Sequence, residues 1–304
     1  MRILILGGGG MLGHKLVQCL RDEFDTWMTV RGAAAAYAPC ELLDSHRMIE
    51  GVDVQNLTTV TDAIAVVRPD ALINCVGIIK QLPSASDPIL NLRINSLLPH
   101  ELHQVCRATG VRLIHFSTDC VFNGRKGMYT EEDPSDAEDL YGRTKFLGET
   151  AGPGALTIRS SVIGRELATA SGLVEWFLAQ PGPIVRGYTR AIYSGFTTQA
   201  MARIVRLVLL EHPELCGTVQ ISSTPINKYD LLDLIRQAYG KAVEIAPVHD
   251  VRIDRTLDSS KFRQLAAFVP PSWPEMIEEM AADPTPYNQW KRHRTHQAQE
   301  NVRK

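Results

Sequence analysis

Residues 1–13 read MRILILGGGGMLG. Arg2 to Leu6 is a short apolar strand running straight into Gly7, Gly8, Gly9 and Gly10. Helical spacing then begins at about Met11 and continues to Leu20. Gly7, Gly10 and Gly13 form a G-x-x-G-x-x-G register. Glycine at position 7 permits a tight turn, at position 10 it lets the backbone approach a pyrophosphate, and at position 13 it lets the helix pack closely on the strand. The amides at the helix start, around Met11 and Leu12, would face the phosphates. A strand before and a helix after set this stretch apart from a flexible glycine turn and point to a dinucleotide.

The second strand is expected at about residues 26–30, ending in Arg31. An acidic residue near that point would receive the ribose hydroxyls of NAD, whereas an arginine accepts a 2′-phosphate. Asp25 precedes the strand, so Arg31 tilts the reading to NADP(H), with NAD(H) still open. Residues 51–54 read as a further short strand. Asp53 would touch the adenine end of the cofactor or simply serve its own loop. Helical spacing follows over 57–67, Pro69 breaks it, and an apolar strand at 71–75 finishes in Asn74-Cys75-Val76-Gly77. Cys75, Val76 and Gly77 thus fall at a carboxyl edge of the sheet, where a cofactor binds. Alternating strands and helices imply an α/β fold with a Rossmann-like, doubly wound parallel sheet and right-handed crossovers.

Residues 87–109 read as a long helix or a broken pair, with Leu92, Leu97, Leu98 and Leu102 on an apolar face and Asn95 among them. His100 and His103 share a face, but without a third ligand nearby no metal site is expected. Residues 111–116, VRLIHF, then form a buried strand that delivers Ser117 and Thr118 at its carboxyl end. Tyr141 and Lys145 stand four apart in a helical run over 140–150, so their side chains share one face. A free tyrosine has a pKa of about 10 and is a poor acid-base catalyst at neutral pH. An ammonium one turn away favours the phenolate, and moving that value to about 7 takes roughly 4 kcal/mol. The hydroxyl of Thr118 or Ser117 would bond the same substrate oxygen. Most Y-x-x-x-K pairs only decorate a solvated helix; the glycine loop at the amino end gives this one its weight.

Composition bounds the class. The chain has 304 residues, 44% hydrophobic and 22% charged, with a net charge of -2. That describes a globular protein with a sizeable core and no electrostatic attraction to nucleic acid or an acidic membrane. Six cysteines without C-x-x-C pairs argue against a disulfide framework or zinc site, so a reducing, cytoplasmic location is expected. The amino terminus is too short and glycine-rich for a signal peptide, and no run reaches membrane-spanning length.

Together, the glycine loop, N-C-V-G at 74–77, Asn95, S-T-D-x-V-F-x-G at 117–124 and Y-G-R-T-K-x-x-G-E at 141–149 resemble the extended short-chain dehydrogenase/reductases. Within them the chain is similar to the dTDP-4-dehydrorhamnose reductase group. The resemblance implies that Thr118 polarises a keto oxygen, with Ser117 beside it, and that Tyr141 is the general acid. Lys145 would hold the nicotinamide ribose and tune Tyr141. Asn95 would anchor its helix and serve a water relay. The implied reaction is hydride transfer from NADPH or NADH to the C4 ketone of a nucleotide-linked 6-deoxy-4-keto sugar, in deoxysugar or surface-polysaccharide synthesis. Lys80, Asp119, Cys120 and Val121 would lie beside the sugar. The group usually carries a tyrosine at the position of Cys120 and an aromatic at that of Val162, so a different ring could stack here. Two other readings stay open: an epimerase or dehydratase that recycles a bound cofactor, and a non-catalytic NADP-binding regulatory subunit.

In the carboxyl-terminal half, a helix is expected near 173–179, a strand at 184–188, and a helix from Thr197 to about residue 211. Further helices are expected at 228–239 and 275–281. Arg186, Arg190, Arg252 and Arg255 are candidates for a diphosphate, and Tyr193 for the sugar. The expected organisation is an NAD(P)-binding domain at 1–165 with a returning segment near 190–214. A smaller α/β substrate-binding domain takes 166–189 and 215–282, and a polar, poorly ordered tail 283–304. A nucleotide-sugar is the expected partner, with a homodimer left open.

Overall fold

A computed structural model describes residues 1–291. In strand β1 (Arg2–Leu6), Ile3, Leu4, Ile5 and Leu6 are all fully buried. Successive side chains alternate faces, so β1 feeds two core layers. Ile3 and Ile5 pack with Leu16, Val17 and Leu20 of helix α1 (Met11–Leu20). Leu4 and Leu6 pack on the other side with Val60, Ile64 and Val67 of α2 (Leu57–Val67). A strand buried on both faces is what a parallel sheet covered by helices requires.

The remaining strands of this sheet are β2 (Asp25–Thr29), β3 (Met48–Ile49), β4 (Ala71–Asn74), β5 (Arg112–Phe116), β6 (Ala155–Arg159) and Gly217–Gln220. Their spatial order is β3-β2-β1-β4-β5-β6 followed by Gly217–Gln220, all parallel. The order reverses between β1 and β4, the switch point at which doubly wound sheets open a crevice. The expected strand at 51–54 is instead a loop. β3 lies earlier, and Gly51, with φ of +71°, turns the chain toward the Asn56 cap of α2.

Between α3 (Pro88–Asn91) and α4 (Leu98–Thr109), Leu92–Leu97 winds as a π-helix. The wider turn shifts the register. Ile94 and Asn95 therefore face inward, while Leu92 and Leu97 are 46% and 52% exposed, contrary to the apolar face expected from the sequence.

The carboxyl-terminal half is not a separate core. Helix Thr198–Leu210 packs along α1, and its Met201, Ile204 and Val208 join the same cluster as Ile3. Strand Gly217–Gln220 pairs with β6, so part of the stretch assigned to the smaller domain completes the seven-stranded sheet. Around it stand three small sheets: Val162–Ile163 with Phe196–Thr197, Ile184–Tyr188 with Glu244–Val248, and Ala191–Tyr193 between Ile226–Asn227 and Ile253–Asp254. The expected tail also differs. Residues 287–291 are helical, and Tyr287 and Trp290 are buried in the main core. The rest of that segment, 292–304, lies outside the described residues. Among the described residues no helix is long and apolar enough to cross a membrane.

Candidate active site

The glycine loop opens at the carboxyl edge of β1. Gly7 has φ of +83°, and a Cβ there would lie 2.7 Å from the Val76 side chain. A Cβ at Gly13 would overlap the Gly7 carbonyl, so both positions exclude a side chain. Loop and helix are pinned by Gly8 donating to the Thr29 carbonyl at 3.0 Å and Gly7 to the Thr29 hydroxyl at 3.1 Å. Gly10 is the N-cap of α1 and no side chain caps its first amides. Those amides and the helix dipole fit a phosphate group, so the residues present suit a dinucleotide.

The loop after β4 lies against this turn. The Val76 amide donates to the Asn74 side-chain carbonyl at 3.1 Å. Asn95, on the π-helix, accepts from the Ile78 amide at 2.9 Å and donates to the Ile78 carbonyl at 3.0 Å. Its amide is thus committed to the Ile78 backbone. A Cβ on Gly77 would stand 3.4 Å from the Asn95 oxygen and 4.0 Å from Lys145 Nζ, which brings the loop after β4 to the tyrosine helix.

That helix, α5 (Leu140–Leu147), starts at Asp139, whose carboxylate accepts from the Gly142 amide at 2.8 Å and from Lys80 Nζ at 2.6 Å. Lys80 also sits 5.5 Å over the Tyr141 ring. α5 and the π-helix approach closely: a Cβ on Gly148 would overlap the Asn95 carbonyl. Thr118 accepts from the Cys120 amide and donates to Asp119, each at 3.1 Å, and its hydroxyl is close enough to the Tyr141 phenol to favour the phenolate. Ser117 is committed elsewhere, donating to Glu149 at 2.6 Å. Glu149 is in turn paired with Arg159 through two bonds of 2.8 and 2.7 Å, both side chains about 6% exposed.

The electrostatics differ from the expectation that Lys145 lowers Tyr141. Burial pushes the Tyr141 phenol above its usual range, the neighbouring Cys120 adds to this, and the Thr118 hydrogen bond opposes it. Burial also lowers Lys145 to about 8, against the pull of Glu149. Its ammonium is turned to the Phe116 carbonyl. A desolvated phenol stays protonated, as a proton donor requires.

Beyond Thr118, Cys120 is half-buried with its thiol pushed up to about 12 by burial and the Asp119 charge. Arg255 donates to the Phe122 carbonyl at 2.7 Å and lies within the electrostatic reach of Cys120 and Asp139. Tyr193, 9% exposed, comes from the carboxyl-terminal half into the field of Asp119 and Cys120. Val121 is fully buried with Phe122, Tyr129 and Leu257, so its side chain does not reach the site as expected. Arg186 is exposed beside Asp250, and Arg190 and Arg252 are also exposed. Arg31 stands exposed just beyond β2. Asp53 accepts from the Gln55 amide at 3.0 Å, serving its own turn. His100 and His103 hold the Leu147 and Pro153 carbonyls. Sequence reasoning missed Tyr37, whose ring lies against Gly9, and gave Glu149 no role although it closes the Y-G-R-T-K-x-x-G-E motif.

Residues 1–166 match the family described as RmlD substrate binding domain. A dTDP-4-dehydrorhamnose reductase of Streptomyces griseus is 35% identical over 151 residues, 49% of this chain and 44% of its own. The chain thus spans less than half the length of that relative. A probable low-salt glycan biosynthesis reductase, Agl14, of Haloferax volcanii is 30% identical over 231 residues, 73% of this chain and 75% of its own. A crystal structure of dTDP-4-dehydrorhamnose reductase from Bacillus anthracis in complex with NADP has a TM-score of 0.73 at 21% identity, covering 92% of this chain and 98% of that one. At that identity the likeness concerns the fold alone. The glycine loop, the Thr118–Tyr141–Lys145 group and the matched 1–166 stretch together make this chain a member of the RmlD substrate binding domain family.

Proposed function

We propose that the chain is an NADPH-dependent reductase of a nucleotide-linked 4-keto-6-deoxy sugar. The observation that carries the reading is the packing of the Tyr141–Lys145 helix onto the turn that follows Thr118, where a Cβ on Gly142 would overlap the Cys120 carbonyl. A bound reduced nicotinamide would supply the hydride. Thr118 and Tyr141 orient the keto oxygen, and Tyr141 gives it a proton as negative charge develops, leaving an alcohol. Lys145, held on the Phe116 carbonyl, serves the nicotinamide ribose rather than the proton affinity of Tyr141. Asn95 keeps residues 75–78 in place beside it. Lys80 and Arg255 supply positive charge for the diphosphate, and Tyr193 walls the sugar from the other half. Arg31 favours NADPH over NADH. Six free cysteines suit a reducing cytoplasm.

The test is consumption of NADPH, and separately NADH, with a panel of dTDP-, UDP- and GDP-linked 4-keto-6-deoxy sugars, with Tyr141→Phe as control. Turnover of one sugar, abolished in the variant, is the expected result. Tight dinucleotide retention with no net oxidation by any sugar would favour an epimerase or dehydratase instead.

A further inference from the structure

The stretch after the last complete helix, Trp273–Ala281, returns to the glycine loop. His14 is fully buried one turn inside α1. Its Nδ1 lies 2.8 Å from the Gly10 carbonyl and its Nε2 3.0 Å from the Tyr287 hydroxyl. That hydroxyl is 3.1 Å from Asp283, which forms a buried ion pair with Lys15. Gln18 donates to the Thr285 hydroxyl at 3.1 Å.

A second route leads to the same loop. Lys291 pairs with Glu175, which accepts from the Glu166 amide at 3.0 Å. The Glu166 carboxylate holds the amides of Ser171 and Gly172. A Cβ on Gly172 would lie 3.6 Å from the Met11 sulfur.

The first route has a geometric consequence. The Gly10 carbonyl and the Met11 amide belong to one planar peptide unit and point in opposite directions. Fixing the carbonyl therefore aims the amide, one of the uncapped donors at the start of α1. Burial lowers His14 to about 4 despite the Gly10 carbonyl, so the ring is neutral near pH 7. The Gly10 contact then assigns the tautomer: Nδ1–H donates to Gly10, and Nε2 is left as an acceptor facing the Tyr287 hydroxyl, whose single proton is shared between Nε2 and Asp283.

We propose that residues 283–291 are a positioning element of the dinucleotide site, in which Tyr287, through His14, aims the first amide of α1 and so sets cofactor affinity. This rests on the reading of the glycine loop as a dinucleotide site. It makes the carboxyl-terminal segment, far away in sequence, part of the binding machinery without touching the ligand.

The experiment titrates the full chain and Tyr287→Phe with NADPH, following nicotinamide fluorescence, with no sugar present. The expected result is about tenfold weaker binding in the variant. Ile235→Val, a mild core variant in helix Lys228–Ala238, serves as a control for general destabilisation and should bind within about twofold of the parent. Because coupling is reciprocal, NADPH should also slow amide exchange across 283–291 in the unmodified chain. That measurement decides the matter if Tyr287→Phe does not fold. Equal affinity in the folded variant, an equal loss in the control, or unchanged exchange under saturating NADPH would overturn the proposal while leaving the site reading intact. Failure of the parent chain to bind either dinucleotide would overturn both.

Discussion

Lys145 Nζ donates to the Phe116 carbonyl oxygen at 2.6 Å, tying the tyrosine helix to the last residue of the strand that presents Thr118. The contact holds the amine in a buried place, and burial lowers it to about 8. A lowered amine carries its proton below that value and loses it above. Since the charged form is the useful one, kcat/KM of the free enzyme should fall about tenfold per pH unit above pH 8. Lys145→Arg, if it folds, should carry the decline to higher pH. A profile level to pH 10 in the parent would rule out this role for Lys145.

Ser117 and Thr118 are neighbours with different duties. Ser117 donates to Glu149, whereas Thr118 faces Tyr141. Ser117→Ala should therefore cost about 1–3 kcal/mol of stability, by leaving a buried carboxylate oxygen under-bonded, and reduce kcat only slightly. Thr118→Val should lower kcat by about a hundredfold with a small change in melting temperature. Denaturant curves and turnover on both variants separate the two roles; the reverse pattern would assign the catalytic hydroxyl to Ser117.

Asn95 makes a two-point clamp on the Ile78 backbone. Asn95→Ala leaves both groups buried without that partner, at a cost of about 1–3 kcal/mol. It should also loosen residues 75–78 and weaken dinucleotide binding several-fold. Hydrogen exchange localised to that loop would check it. Protection equal to the parent would place the clamp elsewhere.

His14 makes the fold sensitive to acid. Its value is lowered from 6.5 to about 4 by burial. The unfolded chain therefore binds a proton between these limits that the folded chain does not. The contribution is complete above about pH 6.5 and is lost as pH falls toward 4, amounting to roughly 3 kcal/mol. Asp283 adds to the same trend: burial opposes its charge, and Lys15 and Thr285 overcome this and hold its carboxyl low. Urea melts at pH 7 and pH 5 should show the loss, and His14→Phe should flatten the difference. An unchanged pH dependence in that variant would rule out this source.

The route from sequence to fold was short where local rules suffice. Arg2–Leu6, the glycines and α1 were readable because a buried strand, a phosphate-sized turn and an amphipathic helix each leave a local mark. The Tyr141–Lys145 pair was readable because helix geometry fixes spacing. Local rules failed at Leu92 and Leu97, since the π-helix between them breaks the 3.6-residue register on which an apolar face is read, and only Leu98 and Leu102 of that face are buried. They failed again at 283–291, where a polar stretch is held by partners more than two hundred residues away.

The sequence by itself determined the doubly wound fold, the glycine turn and the identity of the residues at the carboxyl edge, because periodicity and backbone freedom are properties of neighbours. Only the tertiary structure decided that Ser117 serves Glu149, that Val121 is core, that the last strand belongs to the first sheet, and that Tyr287 reaches Gly10 through His14. Those outcomes depend on burial and on pairs brought together by packing, which no local spacing encodes.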